Sequence, residues 1–212
     1  MSTVREQLSV ARLLPILTVH SDQQALDLCS ALHEGGVRAV EITLRTPEAL
    51  SAIAAVKQAF PDLLVAAGTV TATDQMEAVA KLEVDLAVSP GLTQRLSDCA
   101  RQLSLPFLPG ASTASEILTG IELGHNTFKF FPAQTSGGVA ALKALSAPFG
   151  DVAFCPTGGI DPRNLSDYLS LPSVVCVAGS WMVDTTVVAR QDWRMLSGEV
   201  ARMMAIATEM RP

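Results

Sequence analysis

One lysine, Lys129, lies in an apolar segment where its charge needs an explanation. Phenylalanines flank it on both sides, and residues 127–130 have the pattern of a strand. The other lysines, Lys57, Lys81 and Lys143, lie in alanine-rich segments with helical spacing, where water can hydrate them. A lone ammonium among aromatic side chains has to be paired, functional or both. Because a desolvated amine is the usual starting point of Schiff-base chemistry, Lys129 is a candidate nucleophile towards a carbonyl substrate.

The elements that must position this lysine alternate along the chain. Short apolar segments predict eight strands, at residues 13–19, 37–42, 63–67, 85–88, 106–108, 127–130, 152–155 and 174–177. The intervening segments predict helices at residues 22–34, 47–60, 73–82, 93–103, 115–123, 138–145, 162–169 and 192–210. Eight βα units are the number that closes a parallel sheet, so we expect one (β/α)8 barrel domain over residues 1–212. A doubly wound open sheet is the alternative, although its typical GxGxxG turn is absent.

A short helix is also predicted before the first strand. Thr3 and Glu6 have the spacing of a capping box, and Val4, Leu8 and Ala11 recur with helical spacing. We expect this helix to lie under the barrel.

Polar side chains gather where the predicted strands end, which is where active sites of such barrels lie. Glu41, Thr43 and Arg45 share one strand face, and Lys129 and Phe131 share another. A carboxylate, a guanidinium and an amine could therefore converge at the mouth of the barrel. The alternatives are that Lys129 lies at the rim or makes only a structural ion pair with Glu41, and that Glu41 and Arg45 form a surface pair.

Two glycine turns follow the last two predicted strands. Thr157, Gly158 and Gly159 lead into one helix, and Gly179 and Ser180 follow the eighth strand. These loops commonly bind phosphate in this fold, through backbone N–H groups that glycine leaves accessible. They predict a phosphorylated substrate whose carbonyl group lies at Lys129. The turns could equally be tight connections, and Thr69, after the third strand, could be only the cap of the next helix.

Composition narrows the class of protein. The formal net charge is −6 and no run of Lys or Arg occurs, so we do not expect nucleic-acid binding. The only early apolar run contains Pro15 and is too short to cross a bilayer, so we expect no membrane association and a cytoplasmic location. The four cysteines lack ligand spacing and are interpreted as reduced core thiols. No histidine or carboxylate pattern indicates a metal, and we expect no cofactor.

Six motifs together resemble one known family. They are VEITLRT (40–46), AGTV (67–70), SPGL (89–92), FKFFPA (128–133), CPTGGI (155–160) and GSW (179–181). In order and spacing they are similar to the 2-keto-3-deoxy-6-phosphogluconate (KDPG) aldolases, which often also act on 4-hydroxy-2-oxoglutarate (KHG). The resemblance extends from the first strand to the last helix. It implies a class I aldolase of the Entner–Doudoroff route, in a homotrimer, that releases pyruvate and glyceraldehyde 3-phosphate.

The same resemblance implies a role for each matching residue. Lys129 would form the Schiff base, and Glu41 would be the general acid and base, acting through water. Arg45 and Thr69 would bind the carboxylate of the pyruvyl group, and Thr157 would help to select the stereochemistry of the aldehyde. The remaining residues of the implied substrate site are Pro90, Phe131, Gly158, Gly159, Gly179 and Ser180. Of these, the three glycines and the serine would bind the phosphate.

Two other functions stay open at this point. The enzyme could prefer the epimeric 2-keto-3-deoxy-6-phosphogalactonate, since one or two hydrogen bonds separate the epimers. Alternatively, the barrel could bind a phosphorylated sugar acid without turning it over. That second function would be favoured by a missing lysine or glutamate, and neither is missing.

Overall fold

Parallel strands alternate with helices throughout the computed structural model, which describes residues 3–210. The strands are β1 (Leu13–Leu17), β2 (Ala39–Thr43), β3 (Leu64–Gly68), β4 (Leu86–Val88), β5 (Phe107–Leu108), β6 (Gly110–Ala111), β7 (Thr127–Phe130), β8 (Ala153–Pro156) and β9 (Val177–Gly179). The helices are α1 (Val4–Ala11), α2 (Asp22–Glu34), α3 (Ala49–Ala59), α4 (Thr73–Ala80), α5 (Gln94–Gln102), α6 (Ala114–Glu122), α7 (Gly138–Ser146), α8 (Leu165–Leu169), α9 (Thr185–Ala189) and α10 (Trp193–Glu209).

The strands close into a barrel, which confirms the predicted fold class. Ladders run in the order β5-β4-β3-β2-β1-β9 and β6-β7-β8. Two single parallel bridges join the end of β8 to β9 and to the residues just before it. They pair Phe154 with Val174 and Thr157 with Ala178. Because these bridges connect the two ladders, the open-sheet alternative is wrong, and the protein is a (β/α)8 barrel.

The fifth barrel strand is divided into β5 and β6, which the sequence pattern did not predict. Pro109 separates the two pieces, and proline has no N–H for a ladder. β5 pairs with β4, whereas β6 pairs with β7 and places Gly110 opposite Lys129. Pro109 therefore lies at the point where the strand stops pairing with β4 and begins to pair with β7.

The eighth barrel strand lies three residues later than predicted. The ladder between β1 and β9 begins at Val177, opposite Leu13, and reaches Gly179, opposite Pro15. The apolar run at residues 174–177 is buried but contributes only the bridge at Val174 to the sheet. Alanine and glycine form most of the true strand, and neither residue type carries a strand signal. Helix α9 was also not predicted, since five residues are too few for a helical period.

Two apolar clusters fill the molecule. A large one lies between the strands and the surrounding helices, and a smaller one lies inside the barrel and consists mainly of small or aliphatic side chains. Leu8 and Ala11 of α1 belong to the inner cluster. Thr3 and Glu6 form the predicted capping box at the start of this helix, which confirms that prediction. Among the described residues, none of the helices combines the length and the apolar character needed to cross a membrane.

Candidate active site

An ion pair lies inside the barrel, between strands β2 and β7. The Lys129 Nζ atom donates to both carboxylate oxygens of Glu41, at 3.0 and 3.2 Å. Lys129 is 6% exposed and Glu41 is 1% exposed. The alternative that Lys129 extends past the rim into solvent is therefore wrong. The structural ion pair that the sequence also allowed is present, and it lies at the edge of a cavity.

The carboxylate of Glu41 fits only because Gly68 has no side chain. A Cβ atom built on Gly68 would lie 2.2 Å from Glu41 Oε1 and 2.6 Å from its Cγ. Glu41 is opposite Ala66 in the β2–β3 ladder, two residues before Gly68. Small residues on β3 therefore give the glutamate side chain the space in which it reaches Lys129.

A cavity of about 490 Å³ opens above this pair at the carboxyl ends of the strands. Its wall contains every residue that the sequence predicts for the site: Glu41, Arg45, Thr69, Pro90, Lys129, Phe131, Thr157, Gly158, Gly159, Gly179 and Ser180. Four further residues complete the wall, namely Ile16, Thr18, Ile160 and Trp181. The volume is in the range of small-molecule sites, which are concave and carry a few polar groups.

Arg45 and Thr69 form the polar wall next to Glu41. Arg45 is exposed, and its Nε atom donates to the hydroxyl oxygen of Thr69 at 3.3 Å. Thr69 has φ of +61°, an unusual backbone conformation for a β-branched residue. The cap of helix α4 is Ala72, so the interpretation of Thr69 as that cap is wrong. The proposed Glu41–Arg45 surface pair is also wrong, because the Glu41 carboxylate is buried against Lys129.

Glycines shape the opposite wall. Gly158 and Gly159 have φ of +102° and +72°, which favour glycine, and a Cβ atom on Gly159 would lie 2.5 Å from the Cβ of Gln134. At Gly179 a Cβ atom would overlap the ring of Trp181, at 1.9 Å. The main chain of both turns thus borders the cavity where side chains are excluded. The glycines of both turns are required by conformation and by close packing, which fits tight connections as well as a turn whose main chain contacts a ligand.

Phe131 provides the aromatic surface next to the amine. The Lys129 Nζ atom is 5.7 Å from the centre of the Phe131 ring, within the range of a cation–π contact. The ammonium is therefore held by one carboxylate and one aromatic ring.

The thiols lie away from the solvent. All four cysteines are free and buried, as the sequence predicted for core thiols. Burial raises the pKa of Cys29 to about 12 and raises the pKa of Cys176 as well. In residues 3–210 no three side chains of His, Cys, Asp or Glu come together as a metal site.

Known proteins are similar to this chain in sequence and in fold. The family model described as "Aldolase: KDPG and KHG aldolase" matches residues 4–198. The chain belongs to this family. A curated relative, the 2-dehydro-3-deoxy-phosphogluconate aldolase of Dickeya dadantii, is 41% identical over 98% of this chain and 94% of its own length. The family membership predicted from the six motifs is thereby confirmed, and this KDPG/KHG aldolase family consists of aldehyde-lyases.

Two solved KDPG aldolases have closely similar folds. The enzyme from Legionella pneumophila, in a structure with pyruvate captured at low pH as a covalent carbinolamine intermediate, is 37% identical and has a TM-score of 0.92 over 95% of this chain and 98% of that chain. The enzyme from Zymomonas mobilis ZM4, solved with 3-phosphoglycerate, is 38% identical with a TM-score of 0.86, over 92% of this chain and 93% of that chain.

The four unpredicted wall residues had little chemical signal in the sequence. Ile16 and Ile160 look like core residues, and a lone threonine at the end of a strand is common. Trp181 directly follows a predicted phosphate residue, Ser180, but its packing over Gly179 needs coordinates to be seen. Strand parity could have identified Thr18, since it is two residues after Ile16 at the end of β1.

Proposed function

We propose that this protein is a class I aldolase that cleaves KDPG to pyruvate and D-glyceraldehyde 3-phosphate. The observation that carries the proposal is a buried lysine, paired with a buried glutamate, at the edge of a cavity at the carboxyl ends of the barrel strands. Its relative from Legionella pneumophila holds pyruvate as a covalent carbinolamine, which is the adduct that an amine forms with a keto group.

The reaction begins with covalent attachment of the substrate. The amine of Lys129 attacks C2 of the keto acid, and loss of water from the resulting carbinolamine gives an iminium ion. The positive iminium accepts the electron pair of the C3–C4 bond as the C4 hydroxyl loses its proton. The aldehyde leaves, and an enamine remains on Lys129.

Glu41 is the group that moves protons in this scheme. Its carboxylate lies 3.0 Å from Lys129 Nζ, so a water molecule between it and the substrate can reach both C3 and the C4 hydroxyl. The carboxylate takes up the C4 proton through water, and Glu41 then returns a proton to C3 by the same route. Hydrolysis of the resulting imine releases pyruvate and restores the free amine.

The other wall residues orient the substrate. We assign the pyruvyl carboxylate to Arg45, whose guanidinium fits a carboxylate, and to the hydroxyl of Thr69. Pro90 and Phe131 bound the carbon chain, and Thr157, which is buried, contacts the aldehyde half and helps to select its stereochemistry. The phosphate site consists of the turns Gly158-Gly159 and Gly179-Ser180. A 3-phosphoglycerate molecule accompanies the Zymomonas relative, which shows that a relative of this chain accommodates a phosphorylated three-carbon acid.

A second activity, on KHG, follows from the same chemistry. KHG has the same C2 keto group and C4 hydroxyl, so the same imine can cleave it to pyruvate and glyoxylate. The family description includes both substrates. The epimeric galactonate substrate has less support, because the relative from Dickeya dadantii is a 2-dehydro-3-deoxy-phosphogluconate aldolase.

We also propose a cytoplasmic homotrimer that acts in the Entner–Doudoroff route, with no nucleic-acid or membrane partner and no cofactor. The chain exposes large apolar side chains on its helices, such as Leu118 and Ile121 on α6. Contacts between subunits would cover such surfaces. Light scattering on the purified protein measures the mass of the assembly, and a monomer would refute the trimer.

Pyruvate release tests the proposed substrate. The assay compares three substrates side by side: KDPG, its epimer 2-keto-3-deoxy-6-phosphogalactonate, and the unphosphorylated KHG. Lactate dehydrogenase detects the pyruvate that is released. We expect the gluconate-derived substrate to have the highest kcat/KM. The absence of pyruvate with all three substrates, while the protein still binds them, would instead support the non-catalytic barrel.

A further inference from the structure

Thr18 lies in the wall of the cavity and has no part in the chemistry described above. It follows β1, in which Ile16 is opposite Glu41 and Leu17 is opposite Ile42. Continuing that register places Thr18 beside Thr43, one layer nearer to the mouth of the barrel than Glu41. Residues two apart on a strand share a face, so Thr18 points inwards as Ile16 does.

The hydrogen bonds of Thr18 fix the direction in which its hydroxyl donates. The hydroxyl of Thr43 donates to the carbonyl oxygen of Leu17 at 3.0 Å, and a carbonyl oxygen can only accept. The hydroxyl oxygens of Thr18 and Thr43 are 3.0 Å apart. Because Thr43 has used its one proton, Thr18 is the donor in this pair. The oxygen of Thr18 therefore has only lone pairs left for a ligand.

The position of Thr18 determines which part of a substrate meets these lone pairs. Ile16, Thr18 and Ser180 line the catalytic cavity and also a neighbouring cavity of about 560 Å³. Strand β1 lies between β2, which carries Glu41, and β9, which ends one residue before Ser180. Thr18 at the end of β1 therefore lies between Glu41 and Ser180, which belongs to the proposed phosphate site. A substrate that is attached through C2 and extends towards Ser180 passes Thr18 with the carbon atoms beyond C4.

We propose that Thr18 is a specificity-determining residue that accepts a hydrogen bond from the C5 hydroxyl of the sugar-acid substrate. The inference rests on the proposed function, because it assumes imine attachment at Lys129. KDPG has a hydroxyl at C5, whereas KHG has a carboxylate there, which has no proton to donate. The lone pairs of Thr18 and the negative oxygens of that carboxylate repel one another, so Thr18 favours the sugar acid over the dicarboxylate.

The test compares kcat/KM for the two substrates in Thr18→Val, which has nearly the same shape but no hydroxyl. A neutral hydrogen bond contributes about 0.5–1.5 kcal/mol, which corresponds to about 2- to 12-fold in rate. We expect the ratio of kcat/KM for KDPG to kcat/KM for KHG to fall by at least that factor, because the variant also removes the repulsion of the KHG carboxylate. Thr18→Ser keeps the hydroxyl and should keep the ratio of the wild type.

Two further measurements separate this proposal from a structural effect and from the proposed function. Borohydride trapping of pyruvate should be equal in wild type and Thr18→Val, because pyruvate has no C5. A ratio that stays unchanged in Thr18→Val, whether or not kcat/KM falls equally on both substrates, would overturn the role of Thr18. Failure of the wild type to release pyruvate from either substrate would instead overturn the proposed function.

Discussion

At the scale of single residues, the Glu41–Lys129 pair dominates the site. Burying two charges costs more than their attraction usually returns, so such a pair is weak evidence for a stabilising role. The pair borders a cavity instead of lying wholly within the core. Its place at the edge of a cavity favours a chemical function, in which the carboxylate is kept next to the reacting carbon atoms.

Replacing Glu41 with glutamine tests the role of the carboxylate. Glu41→Gln keeps the shape of the side chain but removes its capacity to accept and return a proton. We expect kcat for KDPG to fall by at least about 100-fold, with some pyruvate still trapped on the lysine by borohydride. Glu122→Gln, at an exposed position on α6, is the matched control. Unchanged turnover in Glu41→Gln would remove Glu41 from the mechanism.

His125 gives a prediction about stability and pH. The ring packs against Phe107 and Phe128 and is 2.9 Å from the hydroxyl of Ser97. Burial lowers the pKa of His125, and the positive charge of Arg101 lowers this pKa further. The folded state therefore binds a proton less readily than the unfolded state. The stability that His125 contributes is present above its unfolded pKa of about 6.5 and is lost as pH falls through its lower folded pKa.

Urea unfolding at pH 7.5 and pH 5 measures this effect. Wild type should lose more unfolding free energy between the two pH values than His125→Asn does. The same substitution at the exposed His20 is the control and should leave the pH dependence of the wild type unchanged. Equal pH dependence in wild type and His125→Asn would contradict the assignment to His125.

At the scale of secondary-structure elements, neighbouring strands must fit each other's side chains. Gly68 on β3 leaves the space for Glu41 on β2, and Gly68→Ala would bring a methyl group to 2.2 Å from the carboxylate. We expect the variant to fold but to displace Glu41 from Lys129, with kcat reduced by at least about 10-fold through loss of proton transfer. Gly198→Ala on α10, where a Cβ atom meets open space, is the control and should retain full activity. Normal activity in Gly68→Ala would show that the glutamate has another position from which it can act.

Helix α1 gives a prediction that separates stability from activity. The hydroxyl of Thr3 accepts from the backbone N–H of Glu6, and the Glu6 carboxylate accepts from the backbone N–H of Thr3. Thr3→Ala removes half of this capping box and should lower the unfolding free energy by about 1 kcal/mol, with kcat unchanged. Ser9→Ala, in the same helix but outside the cap, should change it by less than about 0.5 kcal/mol. Denaturant unfolding measures both, and a loss of activity in Thr3→Ala would contradict a purely structural role.

At the scale of the whole molecule, hydrophobic alternation made the barrel predictable, since each strand is buried on both faces and each helix on one. The pattern failed where pairing partners, and not side-chain types, define a strand. Pro109 divides the fifth strand between two ladders, and the small residues at 178 and 179 carry no strand signal. Closure of the barrel depends on two single β-bridges, and no local pattern of residue types can indicate such bridges.

The candidate site was predictable to the extent that its residues are charged or carry a motif. Strand parity brought Glu41, Arg45 and Lys129 to one opening, because residues at strand ends must converge when a parallel sheet closes. Apolar wall residues such as Ile16 and Ile160 carry neither a charge nor a polar group that would mark them in this way. The requirement for Gly68 also depends on a distance between two strands, which appears only in three dimensions.

The proposed reaction depends on an imine between Lys129 and the keto acid. Sodium borohydride, added with pyruvate, reduces such an imine to a stable amine, and peptide mass spectrometry locates it. We predict one reduced pyruvyl adduct, on the peptide that contains Lys129, and neither an adduct nor turnover in Lys129→Ala. Labelling at Lys57, Lys81 or Lys143, or turnover of KDPG by Lys129→Ala, would show that Lys129 does not form the imine.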